Sequence, residues 1–109
     1  MVYLASPYSH EYPSVMQRRF ESVCKVAAAL MAQGVIVFSP IAHTHPIAVQ
    51  GSLPRGWEYW EKFDTDFIQA SESMVVAMMP GWKESKGVQA EILIAERLGK
   101  PIVYMEVDA

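Results

Sequence analysis

The 109-residue sequence has one cysteine and no long apolar run, and each shortage excludes a class of protein. Because Cys24 stands alone, no disulfide can form within the chain, and nothing indicates an oxidising compartment. No apolar run approaches the roughly 18 residues that indicate a membrane span. The chain opens directly on a predicted strand without a signal-peptide pattern, so we expect a cytoplasmic protein.

Charge is also sparse. Nine Lys and Arg against twelve Asp and Glu give a formal net charge of −3, and no basic stripe is visible, which argues against binding of duplex nucleic acid. Hydrophobic residues make up 51% of the chain and charged residues 19%, below the roughly 25% of an average globular protein. We expect a single domain over residues 1–109. An aromatic-rich stretch over residues 57–67 predicts that a second copy covers apolar surface, in a homodimer or higher homo-oligomer.

Four apolar runs without polar alternation predict buried strands, at residues 2–5, 35–38, 74–79 and 102–105. Helical spacing separates them, over residues 13–34, 57–68 and 85–99. The order β-α-β-α-β-α-β predicts a flavodoxin-like (Rossmann-like) three-layer α/β/α fold with a parallel sheet of four main strands. Ligands of such folds bind at the carboxyl ends of the strands.

Residues 39–56 contain three prolines and two glycines and are interpreted as a long polar loop. The loop carries His43 and His45, whose spacing could chelate zinc. No Cys or acidic residue nearby completes the coordination sphere, so we predict no metal and assign these histidines to contacting a base or closing the site. The glycine-rich dinucleotide fingerprint is absent, and no cofactor is predicted.

Two carboxylates are candidates for chemistry. Glu91 lies about one turn into the helix that follows Ser85 and Gly87, and we expect it on the side opposite the apolar residues of that helix, such as Val88. The alternative is a carboxylate that caps the helix or interacts with its dipole. Asp64 lies among aromatic residues, where desolvation would raise its pKa, and the alternative is a solvated side chain. A pair of acids suits glycosidic cleavage, although spacing alone leaves both alternatives open.

Together these residues resemble the nucleoside 2-deoxyribosyltransferase superfamily, which includes 2′-deoxynucleoside 5′-monophosphate N-hydrolases and cytidine monophosphate hydrolases. The likeness covers nearly the whole chain in the right order. It is carried by the opening Tyr3-Leu4-Ala5-Ser6-Pro7-Tyr8, by Asp64, by Ser85-x-Gly87-x-x-x-Glu91, and by Gly99-Lys100-Pro101. The Ser39 to Pro46 segment, Ser-Pro-Ile-x-His-x-His-Pro, resembles a branch of small bacterial proteins.

The resemblance implies roles for individual residues. Glu91 matches the nucleophile that attacks C1′ of the sugar, Asp64 the carboxylate that assists at the sugar and base, and Tyr3 a tyrosine whose hydroxyl reaches the nucleophile. Ser85 and Gly87 match donors to a 5′-phosphate. The remaining substrate-binding candidates come from the first two strand ends and are Ser6, Pro7, Tyr8, Ser39, His43 and His45.

One feature of the nucleotide hydrolases is missing. They carry an arginine in the first loop, where this chain has Ser9 and His10, and the nearest substitutes are Arg18 and Arg19. The resemblance therefore implies an enzyme that breaks or exchanges the N-glycosidic bond of a nucleoside or nucleoside monophosphate. Whether it is a hydrolase or a transferase stays open. The alternative from a different class is a non-catalytic nucleotide-binding or sensor module on the same fold.

Overall fold

A parallel four-stranded sheet with the order β2-β1-β3-β4 forms the centre of the computed structural model, which describes residues 1–107. The elements along this part of the chain are β1 (Val2–Ala5), α1 (Pro13–Ala32), β2 (Val37–Phe38), α2 (Pro40–Gly51), α3 (Trp57–Ala70), β3 (Ser73–Met78), α4 (Lys86–Arg97) and β4 (Ile102–Glu106). All three strand pairings are parallel, which confirms the predicted α/β fold and its four main strands. The end of the predicted domain, Asp108 and Ala109, lies outside the described residues.

The alternation of side chains along β1 divides the core into two layers, one on each face of the sheet. Tyr3 and Ala5 pack in one cluster with apolar residues of α3 and α4, such as Ile68 and Val88. Leu4 packs in the other cluster, with residues of α1 that include Val23. Because both faces of β1 are covered, the strand needs apolar residues at every position, as the sequence pattern indicated.

The predicted loop over residues 39–56 is wrong for most of its length, because Pro40–Gly51 form α2. Its prolines were interpreted as breakers, but Pro40 stands in the first turn, where its fixed φ favours a helix and no N–H is needed. The Ser39 hydroxyl caps the helix by accepting from the Ala42 N–H at 3.1 Å. Burial of Thr44 and Ala48 then stabilises α2 despite an internal proline.

Strand boundaries differ from the predicted ones by one or two residues. β2 covers only Val37 and Phe38, because Val35 turns back to donate to the Leu30 carbonyl and Ile36 is 75% exposed. β3 begins and ends one residue earlier than predicted, and β4 extends one residue further. Within residues 1–107, none of the helices combines the length and the apolar character needed to cross a membrane.

Arg19 connects the loop after β1 to the loop after β3. Its guanidinium donates to the carbonyls of Tyr8 at 3.3 Å and Ser9 at 3.0 Å. It also lies against Gly81, where an added Cβ would be 2.6 Å from Arg19 Nη2. Gly81 has φ +93°, a conformation that other residues adopt only with strain. These contacts hold the first loop in place at the carboxyl edge of the sheet.

We predict that Gly81→Ala lowers the free energy of unfolding more than Gly34→Ala does. Both glycines have positive φ, so both substitutions cost about 1 to 2 kcal/mol of backbone strain, but a Cβ at Gly34 meets nothing within 4 Å. At Gly81 the new methyl group also displaces Arg19 from its carbonyl partners, which adds about 1 kcal/mol. Urea unfolding of the two variants measures the difference. Equal losses would mean that Arg19 contributes nothing to the stability of the first loop.

Candidate active site

A cavity of about 290 Å³ opens at the carboxyl edge of the sheet, where the loops after β1 and β3 meet α2 and α3. Its polar and aromatic lining includes Ser6, Tyr8, Thr44, Arg55, Trp57, Trp60, Asp64, Ser85, Lys86, Gly87 and Glu91. Its size lies at the lower end of the roughly 300 to 1,000 Å³ of small-molecule sites. Six of the predicted site residues, namely Ser6, Tyr8, Asp64, Ser85, Gly87 and Glu91, line this cavity.

Glu91 lies on the buried face of α4, not on the opposite side as expected. Residues three and four apart share one face of a helix, and Glu91 therefore lies in line with Val88 and Ala95. Only 4% of Glu91 is exposed. Helix capping is performed by Ser85, whose hydroxyl accepts from the Val88 N–H at 3.2 Å. A carboxylate in an apolar row that faces the sheet needs specific partners.

Two side chains from other elements supply those partners. The hydroxyl of Tyr3, on β1, donates to Oε2 of Glu91, and Tyr3 is completely buried. Asp64, on α3, is also buried and makes side-chain contacts with both Glu91 and Tyr3. The fold thus brings together the three residues assigned to catalysis from the resemblance, each from a different element.

Burial changes the protonation of this cluster. Desolvation raises the pKa of Asp64 to about 6, although its contacts with Glu91 and Tyr3 act in the opposite sense. Desolvation also raises the pKa of Glu91 well above its ordinary value, and the neighbouring charge of Asp64 adds to that increase. The raised pKa predicted for Asp64 is confirmed. Burial and the proximity of the two carboxyl groups therefore both favour a proton shared between them.

The rim of the cavity combines a helix N-terminus with aromatic rings. The first N–H groups of α4 lack partners within the helix and can bind an anionic or polar group. Trp57 lies beside Gly87, where an added Cβ would make an ordinary contact of 3.8 Å with the indole ring. The indole N–H of Trp60 donates to the Pro54 carbonyl at 2.8 Å, which orients that ring. Across the entrance Lys86 forms an ion pair with Glu58.

Four predicted binding residues do not line the cavity, namely Pro7, Ser39, His43 and His45. Pro7 is fully buried, and Ser39 uses its hydroxyl to cap α2. His43 packs against the rings of Phe38 and Phe63, with centroid separations of 5.7 and 6.1 Å. These positions were assigned to the substrate because they follow strand ends, but their side chains stabilise the local structure instead.

His45 also lies outside the cavity, although it supports a residue that lines it. Burial lowers the pKa of His45, so the ring is neutral at neutral pH. Its Nε2 is 3.0 Å from Oε1 of Gln17, an oxygen that only accepts, so Nε2 donates. Nδ1 then accepts from the Tyr8 hydroxyl at 2.6 Å. His45 therefore orients Tyr8, and no third ligand accompanies it: the described residues contain no group of three or more His, Cys, Asp or Glu arranged to hold a metal ion.

The arginine of the site was not predicted from the sequence. Arg55 lines the cavity from the loop before α3, whereas Arg19 binds backbone carbonyls and Arg18 is exposed. Trp57 and Trp60 were interpreted as apolar surface for a partner, yet both line the cavity. Their position in the sequence could have indicated a role in the site. Both follow a proline-containing stretch and lie at the start of the helix that carries Asp64.

We predict that the free energy of unfolding falls as pH rises from about 4 to 6. Asp64 has a folded-state pKa of about 6 against an ordinary 3.8, so the native protein binds this proton more tightly than the unfolded chain does. The stabilisation is complete below pH 4 and is lost as pH rises through 6. It corresponds to as much as about 3 kcal/mol. Urea unfolding across this range measures it.

Two asparagine variants test whether Asp64 causes this pH dependence of the free energy of unfolding. Asp64→Asn removes one of the two carboxyl groups with a raised pKa and so reduces the pH dependence between 4 and 6, while the part due to Glu91 remains. Asp66→Asn is the control, because Asp66 is exposed on the same helix and forms an ion pair with Lys62 at 3.0 Å. If Asp64→Asn retains the slope of the unsubstituted protein, Asp64 does not carry the raised pKa.

Comparison with known protein families gives a match over nearly the whole chain and not over a single motif. The family profile described as "Domain of unknown function (DUF1937)" matches residues 1–107. That range contains all four strands and all four helices of the described structure. No curated protein matches the chain. Because the match extends over nearly the whole length, the chain belongs to the DUF1937 family.

Proposed function

We propose that the protein breaks or exchanges the N-glycosidic bond of a nucleoside or nucleoside 5′-monophosphate, with Glu91 as the nucleophile. The observation that carries this proposal is the pair of buried carboxyl groups, Asp64 and Glu91, that faces a cavity of about 290 Å³ and shares a tyrosine hydroxyl. Two carboxyl groups are what glycoside-cleaving enzymes use. The resemblance to nucleoside 2-deoxyribosyltransferases supports the choice of Glu91.

One proton shared by Asp64 and Glu91 supplies the proton that the departing base takes up in the first step. An oxygen of Glu91 forms a bond to C1′ while the C1′–N bond breaks and its electron pair goes to the base. The proton that Glu91 held passes through its contact with Asp64 to the departing base nitrogen. The Tyr3 hydroxyl donates to Glu91 and keeps the carboxylate aimed at the sugar.

The second step restores the enzyme. Water attacks C1′ of the glycosyl-enzyme, the bond to Glu91 breaks, and Asp64 accepts the proton that the water loses. The pair then again holds one proton and one negative charge. In a transferase, a nitrogen of a second base would replace the water. Both routes use the same protein groups and differ only in which molecule reaches C1′.

The rim supplies groups for the two ends of the substrate. Trp57 and Trp60 offer flat apolar faces on which a base can stack. Arg55 and the N–H groups at the start of α4, which lie beside Trp57, suit the 5′ end, whether it is a hydroxyl or a phosphate. This assignment places the sugar between the rim and the carboxyl pair.

We also propose that the protein works in the cytoplasm as a homodimer or higher homo-oligomer. Apolar side chains remain exposed at one end of the sheet. On the edge strand β4, Val103 is 58% and Tyr104 46% exposed, and Leu93 of α4 is 52% exposed. Tyr59, in the aromatic-rich helix that suggested self-association, is 51% exposed. Exposed apolar surface of this kind supports association with a second copy.

Glu91→Gln is expected to abolish release of free base. The amide keeps the shape of the side chain but cannot form the glycosyl-enzyme, so the rate falls by about a thousandfold or more. The fold is retained, because the substitution removes a titratable group from a buried position. Chromatography of nucleosides and nucleoside monophosphates incubated with each protein measures the base. Glu96→Gln, an exposed position on the same helix, is the control and keeps full activity.

Two results would contradict the proposal. Unchanged turnover in Glu91→Gln would reduce Glu91 to a structural carboxylate. Binding of nucleotides by the unsubstituted protein without any free base or base exchange would favour the non-catalytic module.

The pH profile of the reaction follows from the shared proton. As pH falls through about 6, Asp64 becomes protonated, so that the pair holds two protons. Asp64 can then no longer accept the proton on Glu91. We therefore expect kcat/KM to decline below pH 6, by about tenfold for each further pH unit. In Asp64→Asn the rate is lower at every pH and this acidic limb disappears. An unchanged acidic limb in that variant would assign the titration to another group.

A further inference from the structure

Strand β4 lies at the edge of the sheet, and part of its backbone has no hydrogen-bond partner. The Met74 N–H donates to the Pro101 carbonyl at 2.9 Å, so this carbonyl points towards β3. In a parallel sheet, successive residues point their backbone groups to opposite sides of the strand, so every second residue of β4 points away from β3. These residues are Ile102, Tyr104 and Glu106. Within residues 1–107, their N–H and carbonyl groups form no hydrogen bond.

The side chains of β4 are exposed on both faces of the sheet. Tyr104 lies on the face that α4 covers, where its ring contacts Trp82 at a centroid separation of 5.8 Å, and it is still exposed. Val103 points to the opposite face and is also exposed. A helix docked on the sheet would cover one face only and would leave the backbone groups unpaired. A further strand beside β4, with its own flanking helices, covers both faces and pairs the backbone.

The edge at β4 also lacks the protection that exposed edges usually carry. Proteins protect such edges with lysine, proline, a bulge or a very short strand. The opposite edge, β2, is only two residues long. β4 has five residues, none of them lysine or proline, and its pairing with β3 contains no bulge. The unprotected edge therefore points to a partner strand.

The residues of β4 are suited to pairing with a second copy of the same strand. When two copies run antiparallel about a twofold axis at Tyr104, each Tyr104 faces the same residue of the other copy. Ile102 then faces Glu106, and these pairs use the backbone groups that point away from β3. Between them, Val103 faces Met105, so exposed apolar side chains meet. No two like charges face each other in this register.

Charge supports the same register. Glu106 is the only charged residue of β4, and Lys100 lies two residues before the strand. Glu106 of one copy is opposite Ile102 of the other, so Lys100 is its diagonal neighbour. Lys100 lies on the matching face, because its ammonium donates to the Gln69 carbonyl of α3 at 3.1 Å. Diagonal neighbours are roughly 7 to 8 Å apart, within reach of long side chains, and the twofold axis repeats this attractive pair.

We propose that two copies of the chain associate through β4, antiparallel about a twofold axis at Tyr104, and form one continuous sheet. The inference rests on the self-association proposed above and names its surface, which is β4 and not the aromatic-rich helix α3. It does not depend on the proposed reaction. Because the same edge is used by both copies, the association closes at two.

The first test measures the mass of the assembly. Analytical ultracentrifugation at micromolar concentration is expected to give twice the mass of one chain. Tyr104→Lys places two like charges opposite each other and is expected to raise the dissociation constant by about a hundredfold or more. Tyr59→Lys is the control and keeps the dimer, because Tyr59 is similarly exposed but lies on α3. A monomeric unsubstituted protein, or dissociation by Tyr59→Lys and not by Tyr104→Lys, would overturn the inference.

Charge reversal tests the register without removing an apolar side chain. Glu106→Lys turns both attractive pairs with Lys100 into repulsive ones, and the dissociation constant is expected to rise by about tenfold or more. Adding Lys100→Glu to the same chain restores the attraction and the affinity. If the double variant associates no better than Glu106→Lys, Glu106 and Lys100 do not meet and the inference is wrong.

Cysteine pairs test the register covalently. Val103 and Met105 of different copies face each other with Cα atoms roughly 4.5 Å apart, a separation that a disulfide spans. A mixture of Val103→Cys and Met105→Cys proteins, each also carrying Cys24→Ala, is expected to form linked dimers with oxidised glutathione. Neither protein alone is expected to do so, because its two cysteines are diagonal neighbours. No linkage in the mixture, or equal linkage in either protein alone, would overturn the inference.

The outcomes separate this inference from the proposed reaction. A dimer that passes these tests but releases no base supports the inference and contradicts only the proposed reaction. A monomer that releases base, or a monomer whose β4 binds a strand of another protein, would overturn the inference and leave the proposed reaction intact.

Discussion

Two carboxyl groups and a tyrosine hydroxyl, all removed from water, must share their protons, and this constraint organises the site. At its buried position Glu91 needs polar partners, which are the Tyr3 hydroxyl and the neighbouring Asp64, a group able to exchange a proton with it. Burial opposes a second negative charge on the pair and so favours a proton shared by the two carboxyl groups. The same desolvation favours the shared proton on which the proposed reaction depends.

The parallel sheet is what brings these residues together. β1 and β3 are the two central strands, and their carboxyl ends lie at one edge, where the chain enters the loops that line the cavity. β1 contributes Tyr3 and, one residue past its end, Ser6. Helices α3 and α4 pack on the same face of the sheet and bring Asp64 and Glu91 to that edge. Each functional group thus depends on a rigid element whose own stability comes from the apolar core.

Local patterns anticipated the elements better than the contacts between them. The unalternating runs and the capping serine at Ser85 sufficed for the sheet and for the start of α4, and an acid among aromatic residues correctly indicated a raised pKa for Asp64. The prolines of residues 39–56 led to the wrong prediction of a loop, because a proline in the first turn is compatible with a helix. The side of α4 on which Glu91 lies was predicted wrongly. Burial of a carboxylate among apolar residues is unfavourable unless other groups bind it, and those groups come from other elements.

The sequence by itself determined the order of the four strands, three of the four helices, the parallel arrangement of the sheet and the set of acids available for chemistry, because these follow from periodicity and residue type over short distances. Only the tertiary structure decided that Arg55, and not an arginine of α1, lines the cavity, and that His45 supports Tyr8 from behind. It alone left the Ser6 hydroxyl without a partner. Hydrogen-bond pairing and desolvation depend on groups far apart in the chain, and no local pattern records which of them the packing brings into contact.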